Sequence, residues 1–352
     1  MKKIVVDCER MKYPHTGLFH YCLNLGRYLE ANADLSKEQV YFYSPSWLQN
    51  WSAKTDNHIS QYSLHKFCLP SLANYDIWHA TYQNTQYMPM RNRKIKVVLS
   101  IHDLNFMYDE TKSAIKKQKY LKALQQVINR ADALICISEF SKTDVLQYCE
   151  VVGKPLHVIH NGSNLLQKPE LNSKSYRPQK PFLFSIGVIN HKKNFHVLLP
   201  LLKNENMELL IAGKYDDPQY IHFMEKRSQE LGVEHNLHML GSISENEKSW
   251  YYNHCRAFAF PSVAEGFGLP VVEAMSCGKP LFLSDRTALP EIGGDVSFYF
   301  RDFHPDHMWN VFRYGMKKYK ADGLMEKIKE RGRNFNWHKA AKQYLEVYRS
   351  LY

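Results

Sequence analysis

The sequence predicts an α/β protein built as two doubly wound parallel sheets in tandem. Three observations predict it. The chain has 352 residues, too long for one ordinary core and matched to two domains of about 150 residues each. Short β-rich runs alternate with helical patterns along it, the order that builds parallel sheets. The alternation breaks once, over Ser163–Pro181, and then restarts.

In the first half, "KIVVDC" reads as a strand. The helix "GLFHYCLNLGRYLEANA" follows, with Leu18, Cys22, Leu25 and Leu29 at helical spacing. The runs "VYFYS", "YDIWHA" and "KVVLSIHD" are strands. "TKSAIKKQKYLKALQQVINRA" is a long helix whose Ile115, Leu121, Leu124 and Ile128 are placed on one side. The strand "DALICIS", the helix "EFSKTDVLQYC" and the strand "LHVIHNG" complete the half. The stretch Ser163–Pro181 is polar, aperiodic and carries three prolines, which reads as an interdomain linker. After it come the strand "FLFSIGV", the helix "NFHVLLPLL", the strand "MELLIAG", the helix "PQYIHFMEKRSQELG" and the strand "LHMLG". The helix "ENEKSWYYNHC", the strand "AFAFPS", the helix "LPVVEAMSCG" and the strand "PLFLSD" end the series.

Composition narrows the function classes. No run of about 18 apolar residues exists to span a bilayer as a helix. The opening "MKKIVVDCER" is too short in apolar residues for a signal-peptide core, so the chain reads as cytoplasmic. Seven cysteines, without a C-x-x-C pair, read as buried free thiols. The net charge of +11 calls for an anionic partner, but aromatics do not interleave with the basic clusters as nucleic-acid binding would require. Neither H-E-x-x-H nor a D-x-D triplet occurs, so no metal site is expected. No G-x-G-x-x-G follows a strand, which disfavours a nicotinamide dehydrogenase.

The stretch "PSVAEGFGLPVVEAMSCGKP", Pro261 to Pro280, concentrates the chemistry. Pro261 ends a buried strand, and the glycines after it let backbone approach a ligand without a Cβ. Pro270 suits the first turn of a helix that Gly278 closes. Ligands of open α/β sheets sit beyond the carboxyl ends of the strands, so this helix start faces the ligand. Free N–H groups of Leu269, Val271 and Val272, with the positive end of the helix dipole, suit a diphosphate. Glu273, placed in the first turn, can accept bonds from vicinal hydroxyls. Glu265, before the glycines, can hold sugar hydroxyls or stabilise positive charge at an anomeric carbon. Alone, either residue would read as an ordinary helix-end or loop carboxylate.

The run "EGFGLPVVE" resembles the Glu-x7-Glu motif of the retaining glycosyltransferases of family 4. "SIGVINHKKNFHVLL", "SIHDLNF", "CISEFSKTDV", "VIHNGSN", "HTGLFHYCLNL" and the final "FNWHKAAKQYLEVYRSLY" are similar to that family's other landmarks. The resemblance runs from about residue 5 to the end and leans toward bacterial mannosyltransferases of O-antigen and capsule assembly. It implies two Rossmann-like domains facing across a cleft, the GT-B fold. The expected parts are an acceptor domain over residues 1–165, a nucleotide-sugar domain over residues 166–335, and a terminal helix over residues 336–352 returning to the first.

By the same resemblance, Glu265 binds the donor sugar's hydroxyls, Glu273 the ribose, and Phe267, Gly268 and Leu269 the sugar and phosphates through their backbone. Lys193, with Lys192, neutralises the leaving diphosphate, as two adjacent lysines after a strand can do. His102 contacts the donor sugar or the reaction centre, Asp103 stands beside it, and Gly17 offers a backbone N–H to phosphate or acceptor. Two departures stand out: Val188 follows Gly187 where many members carry an arginine, and the N-terminal loop has one glycine instead of two. The implied reaction is metal-independent, needs no cofactor and retains anomeric configuration, with GDP-mannose as donor and a saccharide or lipid-linked saccharide as acceptor. The lysines around "TKSAIKKQKYLKALQQVINR", with Lys112, Lys116 and Lys119 placed on one face, would favour an anionic membrane surface. The alternatives are a non-catalytic subunit of the same fold, a basic binding protein, or another GT-B enzyme such as a nucleotide-sugar epimerase.

Overall fold

A computed structural model describes residues 1–14, 16–52, 57–163, 171–203, 205–321 and 323–352. The chain divides into two compact units, one of Met1–Gly162 with Asn336–Tyr352 and one of Ser163–Phe335.

The first unit holds a 7-stranded sheet. Its strands are β1 (Lys2–Asp7), β2 (Glu38–Pro45), β3 (His58–Gln61), β4 (Ile77–Ala80), β5 (Lys96–Ile101), β6 (Ala133–Cys136) and β7 (Leu156–Val158). They lie in the order β3-β2-β1-β4-β5-β6-β7, and every pairing is parallel. Central strands such as β4 and β6 are buried at every residue, as expected of a parallel sheet covered on both faces. Helices α1 (Gly17–Asn32), α2 (Ala114–Arg130) and α3 (Glu139–Tyr148) supply crossovers, each begun by a serine or threonine cap: Thr16, Ser113 and Ser138.

The second unit repeats the plan with 6 strands. These are β8 (Phe182–Ile186), β9 (Glu208–Ala212), β10 (Leu237–Gly241), β11 (Ala257–Phe260), β12 (Leu281–Ser284) and β13 (Phe298–Phe300), in the order β10-β9-β8-β11-β12-β13. All of these pairings are parallel too. Its helices are α4 (Pro218–Leu231), α5 (Glu245–His254), α6 (Leu269–Ser276), α7 (Leu289–Gly293), α8 (Pro305–Ala321) and α9 (Leu324–Arg333).

The last helix, α10 (Trp337–Arg349), belongs to the first unit. Trp337, Ala341, Tyr344, Leu345 and Tyr348 form its buried stripe at helical spacing. Polar contacts fix the docking. Tyr348 Oη lies 2.7 Å from His79 Nδ1, Tyr344 Oη lies 2.7 Å from Tyr21 Oη, and Arg349 binds the fully buried Glu38 through both Nη2 (2.5 Å) and Nε (3.2 Å).

Several local expectations differ from the structure. Two short edge strands, β3 and β13, carry too few residues to show a period. Ile115 is 84% exposed, while Leu124 and Ile128 are buried. At about 100° per residue it lies opposite Leu124, so it never shared the apolar side. Lys112 precedes α2 and pairs with Asp109, so only Lys116 and Lys119 of the proposed trio share a helical face. "NFHVLLPLL" forms a 3-10 helix over Phe195–Lys203, and its Pro200 cannot donate the bond an α-helix would need there. The stretch read as a linker lies partly outside the described residues, and in its largely exposed remainder Tyr176 is anchored. Tyr176 stacks on His238 at 4.3 Å, its hydroxyl donates to Glu208 (2.9 Å), and its carbonyl accepts from Tyr251 (2.8 Å). Four of the cysteines are buried, but Cys68 is exposed.

Candidate active site

In the second unit the loops after β8 and β11 are stapled together. Val263 donates its N–H to the Lys192 carbonyl (3.0 Å). The Ser262 hydroxyl lies 2.5 Å from Glu265 Oε1 and 3.2 Å from the Lys192 carbonyl; having one proton, it gives it to the nearer carboxylate. Lys193 Nζ reaches the same Glu265 oxygen at 2.5 Å and stands 4.7 Å from the centre of the Phe260 ring. Both side chains are only 12% exposed. Glu265 donates its N–H to Thr287 Oγ1 (2.8 Å), and Thr287 itself holds a left-handed φ of 52°.

Burial is the largest influence on Glu265 and pushes its pKa up. The ammonium charges of Lys193 and Lys192, with hydrogen bonds from Lys193 and Ser262, outweigh it and hold the carboxyl below its ordinary range. Glu265 is therefore an anion. Lys193 needs a glycine beside it: Gly187 has φ +155°, and a Cβ there would lie 2.9 Å from Lys193 Cε. Lys192 contributes its carbonyl to the staple while its side chain stays exposed.

Gly268 starts α6 in the left-handed region (φ +104°), with no side chain capping the helix. Val271 donates to the Gly268 carbonyl at 2.9 Å, so its N–H is not free as the sequence reading had it. Phe267 is 4% exposed and packs edge-on against Phe335, 5.7 Å between centres, so its ring is part of the core and not of a ligand surface. Glu273 also differs from expectation. The helix begins at Leu269, which places Glu273 in the second turn, 6% exposed. Its Oε1 accepts from Lys248 Nζ (2.9 Å) and its Oε2 from Tyr252 Oη (2.9 Å).

The remaining predicted residues lie in the first unit. His102 follows β5 and is 8% exposed. Its N–H donates to Gln83 Oε1 (3.1 Å), and its Nε2 lies 2.8 Å from the Thr81 carbonyl. A carbonyl only accepts, so Nε2 carries the proton and Nδ1 the lone pair. Burial is the largest influence and keeps the imidazole below its ordinary pKa. Tyr21 packs edge-on against His102 at 4.6 Å. Asp103 accepts from the Asn105 N–H (2.9 Å), which makes it a turn former. Gly17 opens α1, and a Cβ there would meet nothing within 4 Å, so packing does not require glycine.

Sequence reasoning missed Ser262, Thr287, Lys248 and Tyr252. Ser262 stood within the quoted stretch but carried no spacing signal. Lys248 and Tyr252 lie four apart on α5, a pattern that many solvated helices also show. Among the described residues no group of three or more His, Cys, Asp or Glu side chains is placed to hold a metal, and no helix is long and apolar enough to cross a membrane.

Comparisons with known proteins bear on this geometry. Residues 167–334 match the family Glycosyl transferases group 1, and residues 17–165 match Glycosyltransferase Family 4. The O-antigen chain mannosyltransferase B of Escherichia coli is 23% identical over 99% of this chain and 100% of its own length. Sucrose-phosphate synthase from Thermosynechococcus elongatus shares the fold with a TM-score of 0.79 at 18% identity, over 100% of this chain and 99% of that one. Anabaena HepE, solved in complex with UDP-glucose, does so with a TM-score of 0.78 at 17% identity, over 99% of this chain and 100% of that one. With each unit matched by a glycosyltransferase family and the fold shared, this chain is a glycosyltransferase of the GT-B fold.

Proposed function

We propose that the chain transfers mannose from GDP-mannose to a saccharide or lipid-linked saccharide hydroxyl, with retention at the anomeric carbon and without a metal ion, in the synthesis of a bacterial surface polysaccharide such as O-antigen. The named activity of the Escherichia coli relative supports the sugar and the pathway class. The UDP-glucose bound to HepE supports a nucleotide-sugar donor.

One observation carries the reading: the ion pair of Lys193 with Glu265 after β8 and β11. In this reading the donor diphosphate lies at the start of α6, where the positive end of the helix dipole favours an anion. Lys193 and Lys192 face it and stabilise the charge that grows as the glycosidic C–O bond breaks. Such preorganised charge contributes a few kcal/mol to the transition state. Glu265 stays ionised, so it cannot serve as a proton donor. Its Oε1 is held by Lys193 and Ser262, and Oε2 is the oxygen that meets the sugar hydroxyls. The acceptor oxygen attacks the anomeric carbon from the leaving-group face. Its proton passes to the departing phosphate oxygen, which balances the step without a side-chain base. In the first unit His102 keeps Nδ1 as an acceptor, and in the second Glu273 takes the ribose. These cationic side chains supply the role a divalent ion has in other transferases, which is the ground for metal independence.

The test is a transfer and hydrolysis assay with GDP-mannose. Glu265→Ala should lower kcat/KM by about 100-fold or more, EDTA should leave the rate unchanged, and proton NMR of the product should show the donor's anomeric configuration. Unchanged transfer and hydrolysis in Glu265→Ala would overturn the site. Exposed Lys116, Lys119 and Lys122 on α2, beside the exposed Ile115, support a peripheral position at an anionic bilayer on the cytoplasmic side. Flotation with anionic but not neutral liposomes checks that; equal recovery from both would refute it.

A further inference from the structure

We infer that Lys248 and Tyr252 of α5 are positioning residues that orient the Glu273 carboxylate to receive two adjacent hydroxyls of the donor ribose. The inference rests on the assignment of Glu273 to the ribose made above.

A carboxylate has about four lone-pair directions, two on each oxygen. In Glu273 one direction on each oxygen is taken, Oε1 by Lys248 Nζ and Oε2 by Tyr252 Oη, both at 2.9 Å. One direction per oxygen then remains. Two parallel acceptors on one rigid group match the two hydroxyls of a vicinal diol better than a single hydroxyl. With both donors in place the carboxylate cannot turn about its last torsion without losing a bond. That loss is costly at a site 6% exposed.

The donors are themselves held. Lys248 and Tyr252 are one helical turn apart, so both point from α5 toward α6. The start of α5 is fixed by a capping box in which Ser244 Oγ accepts from the Glu247 N–H (3.2 Å) and Glu247 Oε2 accepts from the Ser244 N–H (2.8 Å). Tyr252 is fully buried, with its ring edge-on to Phe184 at 5.1 Å. Lys248, 8% exposed, also donates to Glu245 at 2.8 Å. Burial lowers the pKa of its ammonium, but the charges of Glu273 and Glu245 push it up to about 12. It therefore remains a donor at every working pH.

The experiment is calorimetric titration of the full chain with GDP and with its 2′,3′-dideoxy counterpart, in the unaltered protein and in Tyr252→Phe, Lys248→Met and Lys248→Arg. The unaltered protein should prefer GDP by tenfold or more. Tyr252→Phe and Lys248→Met should cut that preference below threefold through weaker GDP binding alone, and Lys248→Arg should restore it. If the variants weaken both nucleotides by one common factor, the two residues are only structural and the inference fails. Equal binding of GDP and dideoxy-GDP to the unaltered protein overturns it as well, while leaving the donor site standing. Failure to bind either nucleotide overturns the proposed function along with it. Should Lys248→Met not fold, Tyr252→Phe decides the matter.

Discussion

Lys193 Nζ and Glu265 Oε1 lie 2.5 Å apart although 72 residues separate them in sequence. This pair brings the basic loop after β8 to the acidic loop after β11. It also inverts what burial would do to Glu265. Without the lysine, a carboxyl buried to this degree would favour its neutral form.

Lys193→Met tests that balance through pH. In the unaltered protein Glu265 is depressed, so its stabilising effect is present above the ordinary carboxylate range and is lost as pH falls through the folded value. In the variant, burial raises the folded pKa instead. The variant should be destabilised most at pH 7 and recover relative stability toward pH 5, read as the difference in thermal midpoints. Its kcat/KM should fall by about 100-fold. A difference that does not change with pH would show that the charge of Glu265 is not governed by Lys193.

Gly187→Ala probes the same pair through the backbone. The added Cβ would meet Lys193 Cε at 2.9 Å and strain a φ of +155°. Displacement of the ammonium should cost at least about tenfold in kcat/KM, with far-UV circular dichroism unchanged. Full activity would show that Lys193 reaches its position by another route.

Two histidines make the first unit sensitive to acid. Burial depresses His79 to about 3 and also lowers His102. Their unfolded forms take up protons near pH 6.5, so the unfolded chain binds more protons and stability falls as pH drops below that value. His79 alone should remove about 2 kcal/mol between pH 6.5 and 5. His79→Gln should flatten this part of a stability profile from urea unfolding; an unchanged slope would assign the loss to other groups.

Arg349→Met leaves Glu38 buried without its ion partner. The loss should be about 3 kcal/mol, measured by urea unfolding, and Glu38→Gln on the same background should recover part of it. A loss below about 1 kcal/mol would mean that the pair behaves as a surface salt bridge.

Much of the fold and the type of site are legible in the chain alone. Alternating apolar runs mark most of the strands and helices, since each element answers to the periodicity of its own residues. The segment from Glu265 to Glu273 carries its glycines, its proline and its acids within one turn-and-helix unit, so its chemistry is local and readable. Tertiary structure decided the partners. It set Lys193 and Ser262 on one oxygen of Glu265, and Lys248 and Tyr252 on the two oxygens of Glu273. It folded Tyr176 onto Glu208 and His238 and returned Arg349 to Glu38, 311 residues away. Such pairings depend on the order and register of strands distant in the chain, and no local spacing of residue types encodes that order.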